Sequence, residues 1–199
     1  MENEVNEPAV KYGYISAEEY FEMEETTGQR FEYYDGFLAS VGGFTVAHAL
    51  ISANVFSLIN RYLEGKECKA LTNQVKIHAS KVNSYVYPDV TIFCEQMEFH
   101  DEKRGIVLNP SIVFEVLSKT SEDYDMGQKL MIYQSAPSVK EYFMIDSRMK
   151  WVRIARREGA NLWSFETLTE ADSELYIRTL DLRISLNELY CNVLLRFSA

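Results

Sequence analysis

The run IVFEVL, residues 112–117, lies between Pro110 and a polar cluster that begins at Ser118. An apolar stretch of this length describes a strand buried on both faces, and a chain that contains one must cover a sheet from two sides. A lone carboxylate is rarest in such a strand, so Glu115 needs compensation. Three arrangements supply it: a bound cation, a buried ion pair with a lysine or arginine, or partial exposure at the strand end.

The chain has 199 residues, enough for a substantial core, and 47% of them are apolar. Its four prolines and nine glycines are scattered, with no linker-like stretch and no internal repeat, which predicts a single domain over residues 1–199. The N-terminus MENEVNEPAVKYGY lacks the basic-then-apolar pattern of a signal peptide, and no segment is long and apolar enough to span a bilayer. A cytoplasmic protein without membrane contact is expected. Cys68, Cys94 and Cys191 are far apart, odd in number and without metal or redox spacing, which predicts reduced core thiols. Thirty acidic against twenty basic residues give a net charge of −10. That argues against a protein that coats nucleic acid nonspecifically through a broad basic face, but not against a local groove or a site where bound cations invert the field.

Ser16 with Glu19 three positions on has the form of a capping box that opens a short acidic helix. RFEYYDGFLASVGG predicts a hairpin turning at Asp35-Gly36 and ending at Gly42-Gly43. In TVAHALISANVFSLINRYLEG, Ile51, Val55, Leu58, Ile59 and Tyr62 recur at helical spacing. CKALTNQVKIHAS and SYVYPDVTIFCE alternate as strands, and EQMEFHDEKRGIVLN follows as a polar excursion. TSEDYDMGQKLMIYQSA predicts a helix, with Thr120 and Asp123 as a possible cap and Gly127 as a weak point. Strands at KEYFMID, KWVRIARREG and NLWSFETL precede an amphipathic stretch around SLNELYCNVLLRF. The expected fold is α/β (α+β), a central mixed sheet flanked by helices.

Asp89, in YPDV at the head of another apolar strand, gives Glu115 its meaning. Two acids on neighbouring strands can share a hard divalent cation such as Mg²⁺, which prefers a few carboxylate or carbonyl oxygens plus water. Lys119 lies four residues after Glu115, and Lys129 lies on the following helix between Asp125 and Tyr133, one turn to either side. An ammonium beside such a pair can orient water and offset charge on a pentavalent phosphorus centre. Two acids, a metal and a lysine describe phosphodiester hydrolysis.

YPDV, IVFEVLS, a polar turn with YD, a lysine followed four residues later by tyrosine, and KEYFMID together resemble the Uma-two family, a bacterial group within the PD-(D/E)XK restriction-endonuclease-like superfamily. RFEYYDG and the helix beginning at His48 are similar to two further motifs of that family, and the match covers roughly residues 12 to 150. The resemblance implies a metal-dependent endonuclease acting on nucleic acid, DNA foremost. It implies Mg²⁺ or Mn²⁺ held by Asp89, Glu115 and the backbone carbonyl of Val116. The superfamily's usual lysine position is Leu117 here, so the resemblance passes that role to Lys129, with Lys119 as the rival. Glu32 is implied to face the site. Met126 stands where relatives often carry arginine.

His48 fits a satisfied core histidine or a site residue equally well. Gln74, Lys76 and His78 share one strand face, which the alternation predicts to be solvated. Two other functions remain open: a catalytically silent nuclease-fold protein that binds or regulates, and a carboxylate-pair hydrolase such as a glycosidase. The C-terminal segment and the KWVRIARREG strand suit a homodimer interface or the protein's own core.

Overall fold

The computed structural model describes residues 14–40, 45–119, 121–169 and 174–195. The acidic N-terminal stretch up to residue 13, the Gly42-Gly43 break and the proposed cap at Thr120 fall outside the described residues. Helix α1 (Ala17–Thr27) opens with the expected capping box between Ser16 and Glu19. Strands β1 (Phe31–Tyr34) and β2 (Phe37–Ser40) form the hairpin, and Asp35 and Gly36 take positive φ at its turn. Helix α2 (Val46–Tyr62) starts at Thr45, whose hydroxyl accepts from the His48 N–H, and buries His48, Ile51, Val55 and Ile59 along one stripe.

Among the described residues, twelve of the fourteen strands divide between two six-stranded sheets. The first has the order β2-β1-β5-β4-β8-β7, with β4 at Lys76–Ala79, β5 at Ser84–Val86, β7 at Phe99–Asp101 and β8 at Ile106–Val107. The second has the order β12-β11-β10-β9-β6-β3, with β3 at Lys69–Thr72, β6 at Val90–Phe93 and β9 at Ile112–Leu117, followed by β10 at Glu141–Asp146, β11 at Val152–Arg157 and β12 at Trp163–Leu168. Each sheet contains one parallel pair, β4 with β8 and β9 with β10, so both are mixed. A small hairpin, β13 (Glu174–Ile177) and β14 (Leu182–Ser185), leads into the one-turn helix α5 (Leu186–Leu189). The mixed α/β fold matches the expectation, and the stretches read as single strand regions split: β3 and β4 go to different sheets, as do β5 and β6. The polar excursion contains the β7–β8 pair.

Side-chain alternation sorts the sheets into layers. Along β9, Ile112, Phe114 and Val116 face α2, while Val113 and Leu117 face the layer shared with the first sheet. That shared layer joins Tyr34, Ile77 and Val86 of the first sheet to Val113, Tyr142 and Met144 of the second. It also holds Ile132 and Tyr133 of α4 (Leu130–Ser135). Helix α1 covers the other face of the first sheet through Tyr20, which meets Tyr33 and Tyr85. Phe114 and Phe143 stack at 4.6 Å between ring centres and anchor the α2 side; burying each stabilises by roughly 2–3 kcal/mol. No helix among the described residues is long and apolar enough to cross a membrane.

Two expectations are corrected. Cys68 and Cys94 form a disulfide, and only Cys191 is free. The β3–β6 register pairs Lys69 with Phe93, so one further step sets the two cysteines opposite each other, a closeness that 26 residues of separation conceal. Lys76 and His78 are buried rather than solvated, because α1 and its aromatic rings cover that strand face. The Lys76 ammonium lies 2.5 Å from Glu24 and 4.6 Å from the Tyr20 ring centre, and His78 stacks on Tyr85 at 4.2 Å.

Candidate active site

The β6–β9 pairing supplies the frame. Val90 pairs with Phe114, so one step further Asp89 stands opposite Glu115, and one more sets Pro88 opposite Val116. Proline has no N–H to give, so the Val116 carbonyl lacks a ladder donor from this side. Asp89 takes over the other half of the broken ladder: its Oδ2 accepts the Val116 N–H at 2.7 Å. His48 Nε2, in the first turn of α2, lies 3.1 Å from the same oxygen.

Glu115 is 3% exposed, and Lys129 5%. Between β9 and α4 the chain forms a short helical turn, α3 (Glu122–Tyr124), then a π-helical turn, Asp125–Lys129. Such wide turns are often found at functional sites, and this one buries both its first and last side chains. Lys129 Nζ donates to Glu115 Oε1 at 2.9 Å and lies 3.0 Å from Glu32 Oε1 and 3.4 Å from Asp125 Oδ1. Tyr133, one turn on, donates to Glu115 Oε1 at 2.7 Å. Glu32 reaches the same layer from β1 of the first sheet, held by the Tyr34 hydroxyl at 2.6 Å and the Tyr87 N–H at 3.0 Å. The Tyr142 hydroxyl donates to the Asp125 carbonyl at 3.0 Å and ties the π turn to β10.

The electrostatics follow from the count. Three buried carboxylates surround one ammonium, with Asp89 nearby. Burial pushes the Glu115 carboxyl well above the usual range; Lys129 opposes that, and Asp125, Asp89 and Glu32 add to it. Asp125 is raised for the same first reason. Burial alone would pull the Lys129 ammonium down, but Glu115, Glu32 and Asp125 together hold it well above an ordinary lysine. The lysine is therefore charged, and the acids around it outnumber it, with Glu115 and Asp125 pushed toward their protonated forms. A buried excess of this kind binds a proton or a cation.

Six of the residues singled out in the sequence lie in one connected cluster: Asp89 and His48 on one side, Glu115 and Val116 in the middle, Lys129 and Glu32 on the other. Lys119 is exposed and stands outside the cluster. Met126 packs against the apolar layer between the sheets. Tyr34, Tyr133, Tyr142 and Asp125 are members that sequence reasoning gave no role. Signals for some were present: Tyr34 shares a strand face with Glu32, and Asp125 and Tyr133 lie one turn either side of Lys129. Tyr142 gave none, because its contact is set by how β10 meets the π turn.

Among the described residues, no group of three or more His, Cys, Asp and Glu side chains is arranged to hold a metal ion. The donors that suit a hard divalent cation are two carboxylates and one carbonyl. Among the described residues the hydrogen bonds and ion pairs of Asp89 fall on Oδ2 and those of Glu115 on Oε1, which leaves each carboxylate a second oxygen. With the Val116 carbonyl lacking its ladder donor, this set fits such an ion.

A family profile described as "Uma2: Putative restriction endonuclease" matches residues 17–187. Two proteins of Synechocystis sp., both named as uncharacterized, are 26% identical. One aligns over 183 residues, 92% of this chain and 95% of the relative; the other over 161 residues, 81% and 91%. A crystal structure of a "putative nuclease belonging to DUF820" from Anabaena variabilis superposes with a TM-score of 0.68 at 17% identity, covering 84% of this chain and 93% of that one. The fold is shared with that protein.

Proposed function

The chain belongs to the Uma2 family, and on that premise we propose that it is a divalent-metal-dependent endonuclease that hydrolyses phosphodiester bonds of nucleic acid, DNA foremost. The observation that carries this reading is the buried excess of carboxylate over lysine where β6 stops pairing with β9.

Asp89, Glu115 and the Val116 carbonyl would hold Mg²⁺ or Mn²⁺. When bound, the ion supplies positive charge that makes phosphorus more electrophilic and water more acidic. His48 and the Val116 N–H fix the Asp89 carboxylate from two directions. Tyr133 fixes Glu115, so neither carboxylate must reorganise. Lys129 orients the attacking water through an N–H and offsets charge growing on the phosphoryl oxygens. Glu32 gives that ammonium an anionic contact apart from Glu115. Nicking of supercoiled plasmid, and cleavage of RNA in parallel, should require Mg²⁺ or Mn²⁺ and fall about 10³-fold in Glu115→Ala. Equal cleavage by wild type and this variant sinks the proposal.

A catalytically silent binding protein is the second reading. Its support is that Lys129 already neutralises part of Glu115, and that Arg104, Arg148, Arg156, Arg178 and Arg183 are paired with acids rather than free for phosphate. Calorimetry that finds no uptake of Mn²⁺, together with no cleavage of DNA or RNA, favours it.

A further inference from the structure

The geometry points to Asp125 as a positioning residue that holds the Lys129 ammonium in the site when Glu115 is engaged elsewhere. This rests on the nuclease reading above and deepens it. Lys129 has its shortest contact with Glu115, at 2.9 Å, on an oxygen that also accepts from Tyr133. A cation held by Asp89 and Glu115 would draw on the same carboxylate charge and would repel the ammonium. Unless something else holds it, the lysine leaves the site when it is needed there.

Two carboxylates remain. Glu32 is fixed by Tyr34 and Tyr87, and approaches from the first sheet. Asp125 approaches from the lysine's own turn, 3.4 Å from Nζ and 3% exposed. The wide π turn brings Asp125 and Lys129 inward together, and the Tyr142 hydroxyl on the Asp125 carbonyl holds that turn against β10. Nothing comparable ties Asp125 to Asp89 or Glu115, so its carboxylate serves the lysine rather than the cation.

Reactivity of the lysine amine tests this without relying on cleavage. Wild type, Asp125→Asn and Asp125→Glu are treated with an acetylating N-hydroxysuccinimide ester in Mn²⁺, and labelling at Lys129 is followed by mass spectrometry. Exposed Lys119 and buried Lys76 serve as internal references. Lys129 should label about tenfold faster in Asp125→Asn, the order expected from losing one contact to a charged group, with Lys76 unchanged. Asp125→Glu, which keeps a carboxylate, should restore slow labelling. In the cleavage assay, kcat should fall in Asp125→Asn with KM unchanged and recover in Asp125→Glu. Lys129 labelling at the wild-type rate in Asp125→Asn overturns the inference. So does a parallel rise at Lys76 in both variants, which marks a loosened fold. If wild type cuts no nucleic acid, the nuclease reading fails while the labelling still decides whether Asp125 holds the lysine.

Discussion

The second sheet buries two charged clusters, and they differ in how their charge is matched. Glu141, at the start of β10, accepts from Arg156 Nε at 3.2 Å and from the backbone N–H groups of Arg178 at 3.0 Å and Thr179 at 2.8 Å. Arg156 in turn donates to the Tyr176 carbonyl at 2.7 Å and pairs with half-exposed Glu166. Each buried group there has an opposite charge or a fixed dipole, and the cluster staples the β13–β14 hairpin to the sheet. Around Lys129, three buried carboxylates share one ammonium. Buried charge therefore does not mark function by itself, and the two clusters differ in whether each buried acid has a partner of its own.

The sharpest test exchanges the two glutamates. Glu115→Ala should lower cleavage about 10³-fold with little change in melting temperature, since removing one of several crowded carboxylates relieves repulsion while Glu32 and Asp125 still pair Lys129. Glu141→Ala should do the reverse. It strands Arg156 and two backbone N–H groups, at a cost of about 3–5 kcal/mol in urea unfolding, and leaves turnover per folded molecule unchanged. Matching effects from the two substitutions would break the comparison. Mn²⁺ comes next: at about a hundred times its Kd it should stabilise wild type and Glu141→Ala alike by about 2.7 kcal/mol, and Asp89→Ala not at all, read by thermal shift.

His78 offers a third kind of buried group, one kept neutral. Burial, with His100 adding to it, lowers its pKa from 6.5 to about 4. The unfolded chain takes up this proton below about pH 6.5 and the fold resists it until about 4, so the stabilisation is complete above pH 6.5 and is lost as pH falls through that window. After discounting for partial screening, the loss should be about 2 kcal/mol, measured by urea melts of wild type against His78→Phe at each pH. The smallest effect belongs to an exposed pair. Arg104, between Glu25 at 2.9 Å and Asp101 at 3.1 Å, should cost less than about 1 kcal/mol when changed to Ala, and less still in high salt.

Much of the site was legible because strong local chemistry surrounds it. A carboxylate in IVFEVL, an aspartate after Pro88 and a lysine flanked by Asp125 and Tyr133 each break a local pattern, and the fold joins all three. The choice between Lys119 and Lys129 could not be made from sequence distance. The π turn carries the farther lysine inward, while Lys119, just past the end of β9, stays in solvent. Lys76 and His78 misled because alternation reports only which residues share a face; it cannot say that α1 covers it.

By itself the sequence determined the elements whose causes are local: the Ser16 capping box, the Asp35-Gly36 turn, the apolar stripe of α2 and the buried character of β9. Each depends on residues within a turn or two of one another, where propensity and periodicity act directly. The tertiary structure decided the rest: the division into two sheets, the Cys68–Cys94 bond, and the meeting of Glu32 with Lys129 from opposite sides of one layer. Those contacts join residues far apart in the chain through strand register and layer packing, and a one-residue slip in either would undo them without altering any local pattern.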